Sequence, residues 1–174
     1  YEVVFDPADI DPTYRTLVSM MDSSPNETLL MYSIRQGGAD EIAIRIRNLE
    51  TGEDLPDRLP NSLYGDVTFD EEGTGFYYTL RSRIDGPRIW HHVLGEQQSD
   101  DEMIWGYGYG ATVFISMNRI ADGAYRLYHA QHGWARNDYF IQAGDGPIRP
   151  LVEGVPAHFQ IQYREGQLYI RTDW

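Results

Sequence analysis

Between residues 65 and 105 the chain divides into four short β-forming segments separated by turns, and no other feature limits its fold as much. The first segment covers residues 65–69. Asp70-Glu71-Glu72-Gly73 turns the chain, because glycine reaches positive φ without strain and the acids are solvated. Phe76, Tyr77, Tyr78 and Leu80 make the second segment rich in aromatics, which suits a pleated surface. Asp85-Gly86-Pro87 breaks the chain again, and residues 89–94 and 102–105 supply the third and fourth segments. Four antiparallel strands in about forty residues is the size of one β-propeller blade.

The rest of the chain repeats this unit. Before it, strands are expected at residues 1–5, 17–21 and 29–34, and at 42–46, where Ile42, Ile44 and Ile46 alternate with Ala43, Arg45 and Arg47. A turn at Glu50-Thr51-Gly52-Glu53 then leads to a short outer strand carrying Leu55. After it, residues 112–117, 125–130, 138–143 and 148–152 make a third unit. Residues 158–163 and 168–172 begin a fourth that stops at Trp174 before any third strand. The turn residues Asn26, Glu72, Asp122 and Glu165 fall in register, 43 to 50 residues apart. A sandwich of short strands has no reason to repeat in groups of four. The expected fold is therefore all-β: a partial β-propeller of four-stranded antiparallel blades, about three and a half of them. No helix is expected, since no apolar spacing of three and four residues is sustained.

Charge excludes several classes of partner. With 27 acidic against 14 basic residues the net charge is −13, which repels phosphate backbones and anionic lipid. Neither nucleic acid nor membrane is an expected partner, and the acidity reads as a solubility feature. No apolar run approaches a membrane span and the start carries no signal-peptide pattern, so a soluble cytoplasmic or periplasmic protein is expected. The absence of cysteine removes disulfides and thiolate metal sites. Tyr1 in place of an initiator Met points to a processed or cut start.

Few residues suggest chemistry. A nucleophile elbow needs a Ser framed by Gly as G-x-S-x-G, and no Ser here has that frame; Ser116 sits inside a strand and Ser23-Ser24 in a turn before Pro25. His91 and His92 are adjacent in a strand and must point to opposite faces, and His129 and His132 diverge if their segment stays extended, so structural or surface roles are expected and no metal. Gly106-Tyr107-Gly108-Tyr109-Gly110 lacks the Lys-Ser/Thr and helix of a phosphate loop and reads as a crossing between blades where chain passes close to chain. Residues 98–102 read as a solvated acidic turn. No acid pair stands out for glycoside hydrolysis. No catalytic residue, metal ligand or cofactor is assigned.

The phrases VVFDP (residues 3–7), LMYSIRQGGADEIAIRIRNLETGEDLPD (30–57), VTFDEEGTGFYYTL (67–80), IWHHVLGEQQSDDEMIW (89–105) and HGWARNDYFIQ (132–142), in this order, resemble the β-propeller domain of the prolyl oligopeptidase family of serine peptidases. The resemblance covers nearly the whole chain. It implies that residues 1–174 are a fragment of a single propeller domain. In that family the propeller covers an α/β-hydrolase domain, absent here together with its triad, and admits short peptides. It further implies two substrate-binding positions: Tyr64 in LPDRLPNSLYGDVTF (55–69), as an apolar pocket wall, and Trp134 in HGWARND (132–138). The residues themselves also allow Tyr64 to be an ordinary strand-start aromatic.

The leading expectation is therefore the substrate-gating portion of a prolyl oligopeptidase-like enzyme, non-catalytic by itself, meeting its peptide substrate through the missing peptidase domain. The alternative is a stand-alone propeller-like module that binds a peptide or sugar. Either way, three and a half blades cannot close a ring. Inner faces carrying Phe114, Phe159 and Ile161 would lack cover, and two copies are expected to pair through the open edges as a homodimer.

Overall fold

The computed structural model describes residues 3, 5–13 and 15–174. The strand expected over residues 1–5 lies for the most part outside them. The chain divides into two compact units, one of residues 1–81 with 90–104 and one of residues 82–89 with 105–174.

The first unit begins with an element the sequence did not announce. Helix α1 (Pro7–Ile10) is a single turn, where no helix was expected. It forms because Ala8 N–H donates to Asp6 Oδ1 at 2.9 Å and proline occupies the first turn, where its missing N–H costs nothing. Four residues are too few to show a helical period. A 3₁₀ turn at Gln98–Asp100 escaped notice for the same reason.

Strands β1 (Thr16–Ser23), β2 (Leu29–Gln36), β3 (Ile42–Asn48) and β4 (Asp54–Ser62) form an antiparallel sheet in sequence order. Strands β5 (Tyr64–Phe69), β6 (Gly75–Ser82), β7 (Gly86–Val93) and β8 (Glu102–Trp105) form a second in the same order. The alternation at Ile42, Ile44 and Ile46 is realised as written: all three are buried and the residues between them are not. They pack with Met31 and Leu59 of their own sheet and with Val67, Phe69, Phe76 and Tyr78 of the second to make the unit's core. Strand β4 is longer than the short outer strand expected. It carries Pro56 and Pro60, which an outer strand tolerates because its outward N–H groups have no ladder partner, and its register against β3 slips twice.

In the second unit β9 (Phe114–Ile120), β10 (Tyr125–Gln131), β11 (Asn137–Ala143) and β12 (Arg149–Val152) form a third antiparallel sheet. Strands β13 (Phe159–Arg164) and β14 (Gln167–Thr172) form a hairpin. Three four-stranded sheets and one of two strands are the partial propeller expected. The residues put in register as first turns do connect the first two strands of each sheet. Two of them, Asp122 (φ 52°) and Glu165 (φ 49°), take the left-handed conformation, as does Glu27 (φ 58°) beside Asn26. Trp105 packs on Tyr128 and Phe140 with ring centroids 5.2 and 5.4 Å away. Phe159, expected to lack cover, is buried, whereas Phe114 is half exposed. No helix among the described residues is long and apolar enough to cross a membrane.

Candidate functional site

Tyr64 opens β5, where it pairs with Leu80 across the ladder. Its ring is partly buried against the first unit's core and meets Tyr78 edge-on at 5.9 Å. Burial pushes its phenol up to about 12, against a hydrogen bond with Gln98 and with a further contribution from the Asp101 charge. Tyr78 O–H donates to Asp101 Oδ2 at 2.6 Å, and burial together with that bond raises its phenol well above the usual range. Asp101 Oδ1 lies 2.7 Å from His92 Nδ1, and His92 Nε2 lies 3.2 Å from Asp57 Oδ1, which also accepts the Gly95 N–H. His92 is 3% exposed and its ring packs tilted against Phe76 with centroids 4.8 Å apart. A buried array of two carboxylates, an imidazole and the Tyr78 phenol thus backs Tyr64. The expected solvated turn at residues 98–102 is corrected at Asp101, whose side chain is buried because His92 and Tyr78 take its two oxygens.

Trp134 stands in the loop between β10 and β11 and is 99% exposed. It borders an open cavity of about 420 Å³ with His158, Gln160, Arg171, Thr172 and Asp173. An indole without cover is costly in water and ready to stack on a ligand, and the polar wall beside it offers hydrogen-bond donors and acceptors. Tyr64 belongs to the first unit and Trp134 to the second.

The histidines are structural in their contacts. His91 packs on Tyr77 and approaches Asp70 Oδ2 at 3.2 Å, so it and His92 do point to opposite faces. His132 pairs with Asp138 at 2.8 Å, while His129 turns to Ser116 and Asn137. Among the described residues no cluster could hold a metal ion. Among the described residues, serine meets histidine at Ser116 and His129, and that contact is wrongly polarised for nucleophilic catalysis. Asn137 Nδ2 donates to His129 Nε2 at 3.0 Å, which leaves the ring proton on Nδ1 facing Ser116 Oγ at 3.5 Å. A nucleophile needs a lone pair there to take its proton.

The glycine-tyrosine loop is a close crossing, as its composition suggested. A Cβ on Gly106 would lie 2.7 Å from Pro87 O and 2.8 Å from Ile115 Cδ1. Arg88 Nη1 reaches over the crossing to donate to Gly106 O at 2.9 Å and Tyr109 O at 3.1 Å.

The family described as the prolyl oligopeptidase N-terminal β-propeller domain matches residues 1–174. A prolyl endopeptidase of Elizabethkingia meningoseptica is 26% identical over 99% of the chain and 26% of its own length. Protease 2 of Moraxella lacunata is 28% identical over 90% of the chain and 22% of its own length. The chain thus spans about a quarter of the length of these relatives. Among solved structures, one from a study of two prolyl endopeptidases superposes with a TM-score of 0.89 at 22% identity, over 99% of the chain and 27% of its own. Oligopeptidase B from Leishmania major gives 0.82 at 16% identity, over 99% and 25%. These likenesses establish the fold.

Proposed function

The chain belongs to the prolyl oligopeptidase N-terminal β-propeller family, and from that premise we propose that it is the substrate-gating part of a serine peptidase acting on short peptides. Hydrolysis is the work of an α/β-hydrolase domain outside these residues, and this chain contributes walls and a filter. The observation that carries the reading is the match of the chain over its whole length to a propeller family, beside a serine–histidine contact polarised against catalysis. Tyr64 supplies an apolar wall with a polar tip, and Trp134 a bare aromatic face beside a polar cavity. The partner is a peptide; the net charge of −13 argues against nucleic acid.

The test uses Tyr64→Ala and Trp134→Ala in the full-length polypeptide that contains this chain. Each is expected to raise KM for peptides with a bulky residue upstream of the scissile bond, by the worth of a lost apolar wall, about 1–3 kcal/mol. Peptides too short to reach the wall lose less. Equal losses on long and short peptides refute the pocket assignment. The 174-residue chain alone is expected to turn over no prolyl-amide chromogenic substrate, and activity surviving repurification would overturn its non-catalytic role.

A further inference from the structure

Asn137 sits at the start of β11 with 1% of its surface exposed, and reads the backbone of the next sheet. Phe159 N–H donates to Asn137 Oδ1 at 2.8 Å, and Asn137 Nδ2 donates to Phe159 O at 2.8 Å. The side-chain amide therefore pairs with Phe159 as a neighbouring strand would. This pair of bonds fixes which way the amide faces, since a flipped amide would set N–H against N–H and oxygen against oxygen. The second Nδ2 hydrogen is then directed at His129 Nε2, 3.0 Å away. That bond needs a lone pair on Nε2.

We propose that His129 and Asn137 form an acid-releasable clamp between the third sheet and the β13–β14 hairpin, closed only while His129 Nε2 carries no proton. A proton there sets two donors face to face. The amide has no compliant alternative: turning its oxygen to the ring breaks both bonds to Phe159, and keeping those bonds leaves the clash. Phe159 is 5% exposed, so water does not readily replace what is lost.

The surroundings keep the clamp closed at neutral pH. Burial holds His129 below the ordinary imidazole range, and the neighbouring His158 and His132 add to that. Ser116 faces it from β9, Gln131 from its own strand, and Tyr139 stacks on its ring from β11 at 4.7 Å. Asp138 and the Gln131 side-chain hydrogen bond favour the protonated ring but are outweighed, and the Asp138 carboxylate is already engaged by Gly154 N–H, His132 and Arg136. The sign follows: a histidine depressed by folding costs nothing above its unfolded value of about 6.5, and stability is lost as pH falls from there toward the lower folded value.

The experiment is hydrogen exchange, read by mass spectrometry on peptides spanning residues 157–163 of the full-length polypeptide, between about pH 8 and pH 5 with intrinsic rates divided out. Protection of this segment is expected to fall on acidification, by up to about tenfold per pH unit as pH drops below the open ring's value of about 6.5 toward the lower native value, as one proton dictates. In His129→Gln, oriented with its carbonyl toward Asn137, the segment is expected to stay protected and lose its pH dependence. Protection that is the same across the range, or a pH dependence that survives in His129→Gln, overturns the clamp. Should that variant not fold, ¹⁵N shifts of the wild-type ring decide: a neutral ring with its proton on Nδ1 supports the proposal, and one with its proton on Nε2 overturns it.

Discussion

The close crossing in the second unit gives a prediction whose parts separate cleanly. Gly86 and Gly108 both hold positive φ, +81° and +91°. Alanine at Gly108 meets nothing within 4 Å, so Gly108→Ala reports backbone strain alone, about 1–2 kcal/mol. Alanine at Gly86 carries the same strain, and its Cβ is driven into backbone: Tyr109 O, Gly110 C at 2.8 Å and Tyr109 C at 2.9 Å. Backbone held on both sides yields poorly, and overpacking of this kind costs a further 1–3 kcal/mol or so. Moving the loop away also strains the Arg88 guanidinium, whose Nη1 donates to Pro87 O, Gly106 O and Tyr109 O and whose Nη2 donates to Asp85 O. Losing even one of those bonds adds roughly 1 kcal/mol. Gly86→Ala is therefore expected to cost about 3–6 kcal/mol against about 1–2 for Gly108→Ala, a large share of the 5–15 kcal/mol that holds a typical domain. Urea denaturation followed by far-ultraviolet circular dichroism measures both, with equal m-values required before midpoints are compared. Two variants within about 0.5 kcal/mol of each other would show that the crossing is not tight and that strain alone is at work.

Other outcomes follow from the buried groups and open edges. Asp101→Ala orphans Tyr78 O–H and His92 Nδ1 and is expected to lower stability by about 2–4 kcal/mol; a loss under about 0.5 kcal/mol in the same urea assay would show the array is not closed. Tyr64 and Tyr109 are both pushed up to about 12 by burial, so the fold keeps them neutral where the unfolded chain ionises. Stability is accordingly present below about pH 10 and lost as pH rises toward about 12, and phenolate absorbance from Tyr64 near pH 10 in the native protein, isolated with Tyr64→Phe, would refute this. Among the described residues strand β14 pairs only with β13, and it exposes Tyr169 and Ile170, so the 174-residue chain is expected to self-associate in light scattering; a mass of 20.0 kDa at every concentration would refute it.

What the sequence displayed was whatever repeats or alternates. The turns around Asn26, Glu72, Asp122 and Glu165 are short, polar or glycine-bearing, and the hairpins close there because few other residues tolerate the backbone. Ile42, Ile44 and Ile46 fixed the face and register of β3, since slipping by one residue would put them in water. Strand β4 was legible only in part, because Pro56 and Pro60 look like breakers until the strand is known to be an outer one. Tyr64 and Trp134 were reached through resemblance and not through pattern: a half-buried tyrosine and a bare tryptophan are the same letters in a core or in a pocket, and only burial against Tyr78 and exposure beside Arg171 distinguish their surroundings.

The polar residues that join one sheet to the next had no such signal, and the reason lies in what propeller sheets leave undone. Each sheet satisfies its own ladder, and where two sheets meet some backbone N–H groups end up buried without a strand partner. Side chains take them instead. Asp22 on β1 accepts Phe69 N–H at 2.9 Å and the Thr68 hydroxyl at 2.7 Å; Asn137 on β11 accepts Phe159 N–H. Each acceptor stands far from its donor in sequence and obeys no period. A leucine at Asp22 or Asn137 would make its strand look better formed by pattern while leaving the buried N–H of Phe69 or Phe159 unpaired, at about 1–3 kcal/mol. A close contact of sheets therefore demands polar residues at its seams, and in the sequence those residues look like ordinary surface.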